Sequence, residues 1–176
     1  PSVILPRKAV GELRKLLDDY DGDVSVGLSE TRAEFGFGVI RLTSKLIDGT
    51  FPDYTRVIPS GNDRIMQIDA ASFSSAVDRV STISSEKSRS VKMGIKSGVL
   101  TLSASNTDAS SATEELEVTY DGPEMDIGFN ARYLLDIAGQ VNNEIVEFAL
   151  ADQGSPSLVR APGDDASLFV LMPMRV

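Results

Sequence analysis

Read for the spacing of its apolar residues, the chain repeats one design three times. PSVILPRKAVGELRKLL from Pro1, DRIMQIDAASFSSAVDRVS from Asp63 and EMDIGFNARYLLDIAGQV from Glu124 each begin with a short run that predicts a strand. A turn or capping residue follows (Pro6, Asp69, Asn130), and apolar residues then recur at helical spacing. With Leu5, Ile68 and Phe129 aligned, Val10, Phe73 and Leu134 come five residues later. Leu17, Val80 and Val141 come twelve residues later, and both sets are expected to point inward. Asp69 and Asn130 suit an N-cap, whereas Pro6 suits a helix entrance through its fixed φ.

A run of strands is predicted after each helix. The first set is DVSVGL, TRAEFGF and VIRLTSKLI. The second is SVKMGIK and VLTLSAS, joined by Ser97-Gly98, then ATEELEVTY; the third is EIVEFAL, SLVRAP and LFVLMPMR. Each unit of about 60 residues reads β-α-β-β-β. Three units are too few for a persuasive solenoid. Two of them packed as a pair give one α+β domain with antiparallel sheet on one side and two helices on the other. Three units therefore make one and a half domains.

Composition narrows the chemistry. Of the 176 residues, 41 % are apolar and 24 % charged, as in an ordinary folded domain. No apolar run approaches membrane-spanning length, and the start lacks the layout of an export signal. There is no cysteine, so disulfides, thiolate metal sites and thiol nucleophiles are excluded, which suits a reducing cytoplasm. There is no histidine either, which removes the commonest general base and metal ligand. DDYDGD at Asp18 to Asp23 lacks the glycine and terminal glutamate of a calcium loop and is expected to be a helix-to-strand turn. GDD at Gly163 to Asp165 is expected to be a turn between strands. No nucleophile elbow or phosphate-cradling loop is present, and nothing places two carboxylates in a shared apolar cleft. No catalytic residue, metal site or cofactor is assigned, so a carboxylate hydrolase is the least favoured class. The net charge of −9, from 17 basic and 26 acidic residues, argues mildly against nucleic acid until the cations are placed on separate faces.

SKLIDGTFPDYTRVIP at Ser44 to Pro59 and the ending VLMPMRV closely resemble the bacterial DNA polymerase III sliding clamp, the beta subunit. VILPRKAV, SSEKSRSVKM and IGFNARYLLD follow the family's order, so the resemblance covers essentially the whole chain. It implies a DNA-clamp fold. Residues 1–60 would be the second half of the middle domain and residues 61–176 the complete C-terminal domain. It implies a non-catalytic processivity factor, two copies of which close head-to-tail into a homodimeric ring around duplex DNA. It also implies a pocket that docks polymerase, clamp loader and repair proteins through a glutamine followed by bulky apolar residues. The matching positions are Pro52, Arg56, Val57, Asn130, Tyr133, Ser157, Val170, Leu171, Met172, Pro173, Met174 and Arg175.

The residue chemistry is consistent with that implication. Pro173 cannot donate to a ladder and is expected where the last strand leaves its sheet. Met172 and Met174 offer an adaptable surface. Pro52 would form a rigid wall, with Arg56 and Arg175 as donors at the rim. The residues alone leave open that LFVLMPM is simply a core strand, and a stand-alone peptide-binding α+β module is the runner-up reading. Resemblance places Arg7 and Lys8 at the DNA-facing lining, where helices face the duplex, and Arg89 and Lys92 near it. Arg14 and Lys15 read as a solvated helix face. Thr82 and Ile83 match the ring interface, although Ile83 equally suits a buried helix end. Glu114, Glu115 and Glu117 read as a solvated strand.

Overall fold

The computed structural model describes residues 2–84, 89–106, 109–141, 143–164 and 166–175. Part of SSEKSRSVKM (residues 85–88) and Asp165 of the GDD turn lie outside the described residues. The chain forms two compact units, residues 1–53 and 54–176.

The larger unit contains two copies of the repeat. The first runs β4 (Arg64–Asp69), α2 (Ala70–Ser81), β5 (Ser90–Lys96), β6 (Val99–Ser105) and β7 (Ser111–Glu117). The second runs β8 (Met125–Asn130), α3 (Ala131–Ala138), β9 (Ile145–Leu150), β10 (Ser157–Arg160) and β11 (Phe169–Leu171). The copies exchange their first strands: the two antiparallel sheets have the orders β11-β10-β9-β4 and β7-β6-β5-β8. Ile68 on β4 faces Val146 on β9, and Phe129 on β8 faces Val91 on β5. A return contact follows each copy. The Thr119 N–H donates to the Gln67 carbonyl at 2.9 Å, and the Met174 N–H to the Gly128 carbonyl at 2.8 Å. Gln67 and Gly128 are equivalent in the repeat, each one residue before the aligned Ile68 and Phe129.

Both helices start where their caps require. The Asp69 carboxylate accepts the Ser72 N–H at 2.8 Å, and the Asn130 side chain accepts the Arg132 N–H at 2.9 Å. The Ser72 hydroxyl, then its backbone N–H, hold the Asp69 carboxyl below its usual pKa. Phe73, Ala76, Val77 and Val80 of α2 meet Ala131, Leu134 and Ala138 of α3 in one core lined by alternate residues of both sheets. The Phe73 and Phe148 rings pack edge-on at 5.4 Å. On the opposite face, Glu147 of β9 lies in a cross-strand row. Its carboxylate accepts from Gln67 Nε2 of β4 and from Arg160 Nε of β10, each at 2.9 Å.

The smaller unit holds one copy: α1 (Arg7–Leu17) and an antiparallel sheet of β1 (Ser25–Leu28), β2 (Arg32–Phe37) and β3 (Ile40–Lys45). Ala33, Phe35 and Phe37 form its core, with Leu5, Leu13, Leu17, Tyr20, Val24, Leu42 and Leu46 against them. The return contact recurs, from the Ile47 N–H to the Ile4 carbonyl at 2.9 Å. Two expectations fail here. Residues 2–5 are extended but not a strand, because within this unit no other sheet receives them as β9 and β5 receive β4 and β8. Val10 is exposed because α1 has no second helix beside it within the unit, whereas α2 and α3 have each other.

The acidic stretch after α1 is a turn, as expected, and its residues explain it. The Tyr20 ring folds back over Gly22, its hydroxyl donating to the Asp23 carbonyl and accepting the Gly38 N–H. A Cβ on Gly22 would lie 2.5 Å from that hydroxyl, so any larger residue there displaces the Tyr20 ring from its two hydrogen bonds. Tyr120-Asp121-Gly122 repeats the device, with the Tyr120 hydroxyl donating to the Pro123 carbonyl at 2.7 Å.

The buried row on β9 yields a stability test. Arg160→Ala leaves the Glu147 carboxylate buried with one bond fewer, and is expected to cost about 2 kcal/mol. Chemical denaturation of the two proteins, with the midpoint and slope compared, checks it; an unchanged midpoint would remove the row from the stabilising interactions.

Candidate functional site

The carboxyl tail takes its course from β11 and the return bond. Val170 pairs with Leu158 and Leu171 with Ser157 on β10, after which the chain leaves the sheet. Pro173 sits at that departure, where no N–H is required of it, and Met174 is then tied to β8. Alternation turns Leu171 into the core and leaves Met172 61 % exposed.

A crevice of about 630 Å³ opens beside this tail. Pro173, Met174 and Arg175 form one side. Lys92 of β5 and Asp126, Ile127 and Gly128 of β8 form another, and Gln153 and Gly154 of the β9–β10 loop complete it. Lys92 Nζ and Asp126 Oδ2 are 2.8 Å apart, a half-exposed ion pair that contributes little to stability. The β9–β10 loop is held by Asp152, whose carboxylate accepts the N–H of Gly154 and of Ser155 and the Ser155 hydroxyl. The Gly154 N–H first, then the Ser155 hydroxyl and N–H, keep its pKa below the ordinary value. Asn62 donates to the Ala149 and Pro156 carbonyls, each at 2.8 Å, and so pins the segment that follows the 3₁₀ turn Tyr54–Arg56 to both ends of this loop.

The other expected pocket residues divide into surface and core. Arg56 and Val57 are exposed on and just after the 3₁₀ turn. Asn130 caps α3, and Tyr133 on its first turn is 56 % exposed. Val170 is half-buried. Pro52 is exposed within the unit of residues 1–53. Ser157 and Leu171 are corrections: they face each other across β10 and β11 with their side chains sealed in the core, so neither lines an open surface. Among the described residues the Ser157 Oγ has no hydrogen-bond partner.

The basic residues also separate. Arg7 and Lys8 are exposed on the first turn of α1. Arg89, at φ 42°, gives its carbonyl to the Ala131 N–H at the start of α3. It shares a second crevice, of about 410 Å³, with Thr82, Asp78, Arg132 and Asp136 at the end of α2 and the start of α3. Ile83 is half-buried beside it in sequence but does not line that crevice. Lys92 is a correction. Val91, Met93 and Ile95 alternate with it and face the helices, so Lys92 lies on the opposite side of the sheet, beside the tail crevice. Glu114 is not merely solvated: Arg79 of α2 holds it in a two-bond pair that lowers its pKa.

Sequence reasoning missed Lys92, Asp126, Gln153 and Gly154 as neighbours of the tail. Asp152-Gln153-Gly154-Ser155 has the composition of a side-chain-closed turn, which marks a loop but not what it faces. Functionally, the crevice joins thioether and proline surface to a cation, Arg175, and an ion pair. That combination suits an extended apolar segment with polar ends rather than bond-breaking chemistry.

The exchanged pair of β-α-β-β-β units is a DNA-clamp fold. Residues 55–175 match the sequence model for the C-terminal domain of the DNA polymerase III beta subunit, and residues 1–53 match the model for its central domain. A beta sliding clamp from Caulobacter vibrioides is 51 % identical over 176 residues, covering 100 % of this chain and 47 % of that protein. The beta sliding clamp of Escherichia coli K12 is 37 % identical over 175 residues, covering 99 % and 48 %. Among solved structures, a Bartonella birtlesii sliding clamp bound to griselimycin superposes with a TM-score of 0.94 at 54 % identity, covering 100 % of this chain and 48 % of that one. A Pseudomonas aeruginosa polymerase III beta subunit gives 0.93 at 40 %, covering 99 % and 48 %. The chain belongs to the DNA polymerase III beta subunit family. It spans about half the length of the curated relatives it matches.

Ser157 offers a test that separates core from pocket. Ser157→Ala removes a buried hydroxyl without a partner and is expected to stabilise the protein by about 1 kcal/mol. Melting temperature together with affinity for any peptide ligand checks it; a loss of affinity without stabilisation would return Ser157 to the binding surface.

Proposed function

We propose that this chain is the carboxyl-terminal portion of a replicative sliding clamp: the second half of the middle domain followed by the complete C-terminal domain. In the whole protein these parts belong to a homodimeric ring that encircles duplex DNA in the cytoplasm and keeps a polymerase on its template. The ring has no chemistry of its own. Polymerase, clamp loader and repair proteins dock on it through short peptides with a glutamine followed by bulky apolar residues.

The observation that carries the docking reading is the tail crossing from β11 to Gly128, which leaves Met172 exposed beside a crevice flanked by Pro173, Met174 and Arg175. Apolar side chains of the peptide would displace water from Met172 and Met174, and Arg175 offers donors to its carbonyls or carboxylate. Arg56, Val57 and Tyr133 would extend the surface. Titration of a labelled glutamine-leucine-phenylalanine peptide tests this. Met172→Ala is expected to weaken binding about tenfold, near 1.4 kcal/mol. An unchanged affinity would move the peptide site off the tail.

For DNA the reading rests on Arg7 and Lys8, exposed cations at the start of α1, with Arg89 as a further candidate. Lys92 has no part in it. Such contacts are to phosphate and insensitive to sequence. With a net charge of −9, duplex binding by this chain alone is expected to be weak and to fall steeply with added salt. Arg7→Glu combined with Lys8→Glu should abolish what remains at low salt. Retention of the doubly substituted chain at the same affinity would remove α1 from the DNA surface. Thr82 and Ile83 are proposed for the contact between the two copies in the ring.

A further inference from the structure

The carboxyl tail joins two surfaces of unlike chemistry, and we infer that the second of them selects docking peptides with an acidic side chain ahead of the glutamine. This selectivity rests on the docking reading and names a preference of the same site. Met172 presents its thioether to solvent but does not line the crevice of about 630 Å³, whereas the next three residues do. Opposite them the crevice is walled by charge, Lys92 and Asp126, and Arg175 adds a cation from the tail. Every lining residue belongs to the unit of residues 54–176.

Strand register brings these charges together. Lys92 on β5 faces Gly128 on β8, and Gly128 in turn holds Met174 through the return bond. A glycine at that position leaves no side chain between Lys92 and the tail. Asp126, on the same face of β8, holds the Lys92 ammonium at 2.8 Å. Arg175 differs from the other cations of its unit. Among the described residues no carboxylate pairs with it, whereas Arg79 and Arg160 are each held by a glutamate. Asp152 does not line the crevice, because its carboxylate is turned back onto the Gly154 and Ser155 N–H groups of its own loop. The described lining thus sets two cations against one carboxylate, in a chain of net charge −9.

A local excess of positive charge beside an apolar surface favours a carboxylate on the ligand. Polarity along the peptide sets its direction. The bulky apolar residues follow the glutamine and belong at Met172, so the residues ahead of the glutamine run toward Arg175 and Lys92. Extended chain advances about 3.3 Å per residue. The three steps from Met172 to Arg175 therefore match about three peptide steps back from the leucine, which is two ahead of the glutamine. An aspartate or glutamate there meets Arg175 and competes with Asp126 for Lys92.

Fluorescence anisotropy of the 176-residue chain with three capped peptides tests this. One carries glutamine-leucine-phenylalanine among alanines, the second adds a glutamate two residues before the glutamine, and the third adds it two residues after the phenylalanine. The upstream glutamate is expected to tighten binding about fivefold over the neutral peptide at low ionic strength, an advantage that fades with added salt. The ratio of the two affinities should fall toward one in Lys92→Ala and rise in Asp126→Asn, opposite changes that general loosening of the loop or tail does not produce. Equal affinities for the neutral and upstream-acid peptides, both weakened by Met172→Ala, would overturn the selectivity and leave the docking reading standing. An equal gain from glutamate at either end would also overturn it, since the attraction is then not placed at the crevice. Failure of all three peptides to bind would remove the docking reading and the selectivity together.

Discussion

Exchange of the first strand, closed by the return bond, is the constraint from which the rest of the structure follows. β4 and β8 are edge strands in the sheets they join, and an edge strand presents unpaired N–H and C=O groups. The residues after β7 and β11 meet those groups through Thr119–Gln67 and Met174–Gly128. Each copy therefore lends a strand to its neighbour and sends its own tail back to cover the lent strand. Neither copy can bury its inward residues alone, because the core is lined by both sheets and both helices together. Stability and architecture are here the same fact.

The exposed tail is a by-product of that closure. Met174 must reach Gly128, so the chain crosses from one sheet to the other and cannot continue β11. Pro173 is compatible with the crossing because the donor belongs to its neighbour, and the same crossing leaves Met172 facing solvent. In the preceding copy Thr119 makes the equivalent bond, with Glu117 exposed at the position of Met172 and Val118 half-buried at the position of Pro173. One backbone design thus leaves an exposed residue ahead of the crossing in both copies, the carboxylate of Glu117 in the first and the thioether of Met172 in the second. The difference lies in side chains, not in hydrogen bonding.

Charge is managed locally rather than by net balance. Glu147 sits between Gln67 and Arg160 in a row across three strands, and Arg79 holds Glu114 against α2. These pairs neutralise acids at the sheets. Arg7 and Lys8 remain exposed on α1 in a chain of net charge −9.

The three β-α-β-β-β units, their N-caps and their helix spacing were legible in the sequence, because alternation, capping chemistry and turns are local properties. The family was legible too, in FPDYTRV and MPMR. What stayed hidden depended on a partner. Ser2–Leu5 has the pattern of a strand, yet a strand exists only where another accepts its hydrogen bonds. Val10 has the spacing of a core residue, yet among the described residues of its unit α1 has no second helix to bury it. Ser157 is matched to the pocket only by resemblance, and its phase on β10, set by Val159 and by Leu171 opposite, turns it inward. Lys92 is basic in any reading, and only the pleat of β5 puts it beside the tail rather than with the helices. Sequence determined what each segment can form, because that is settled within a few residues. Tertiary structure decided which face each side chain occupies, because a face is defined by the strand or helix packed against it.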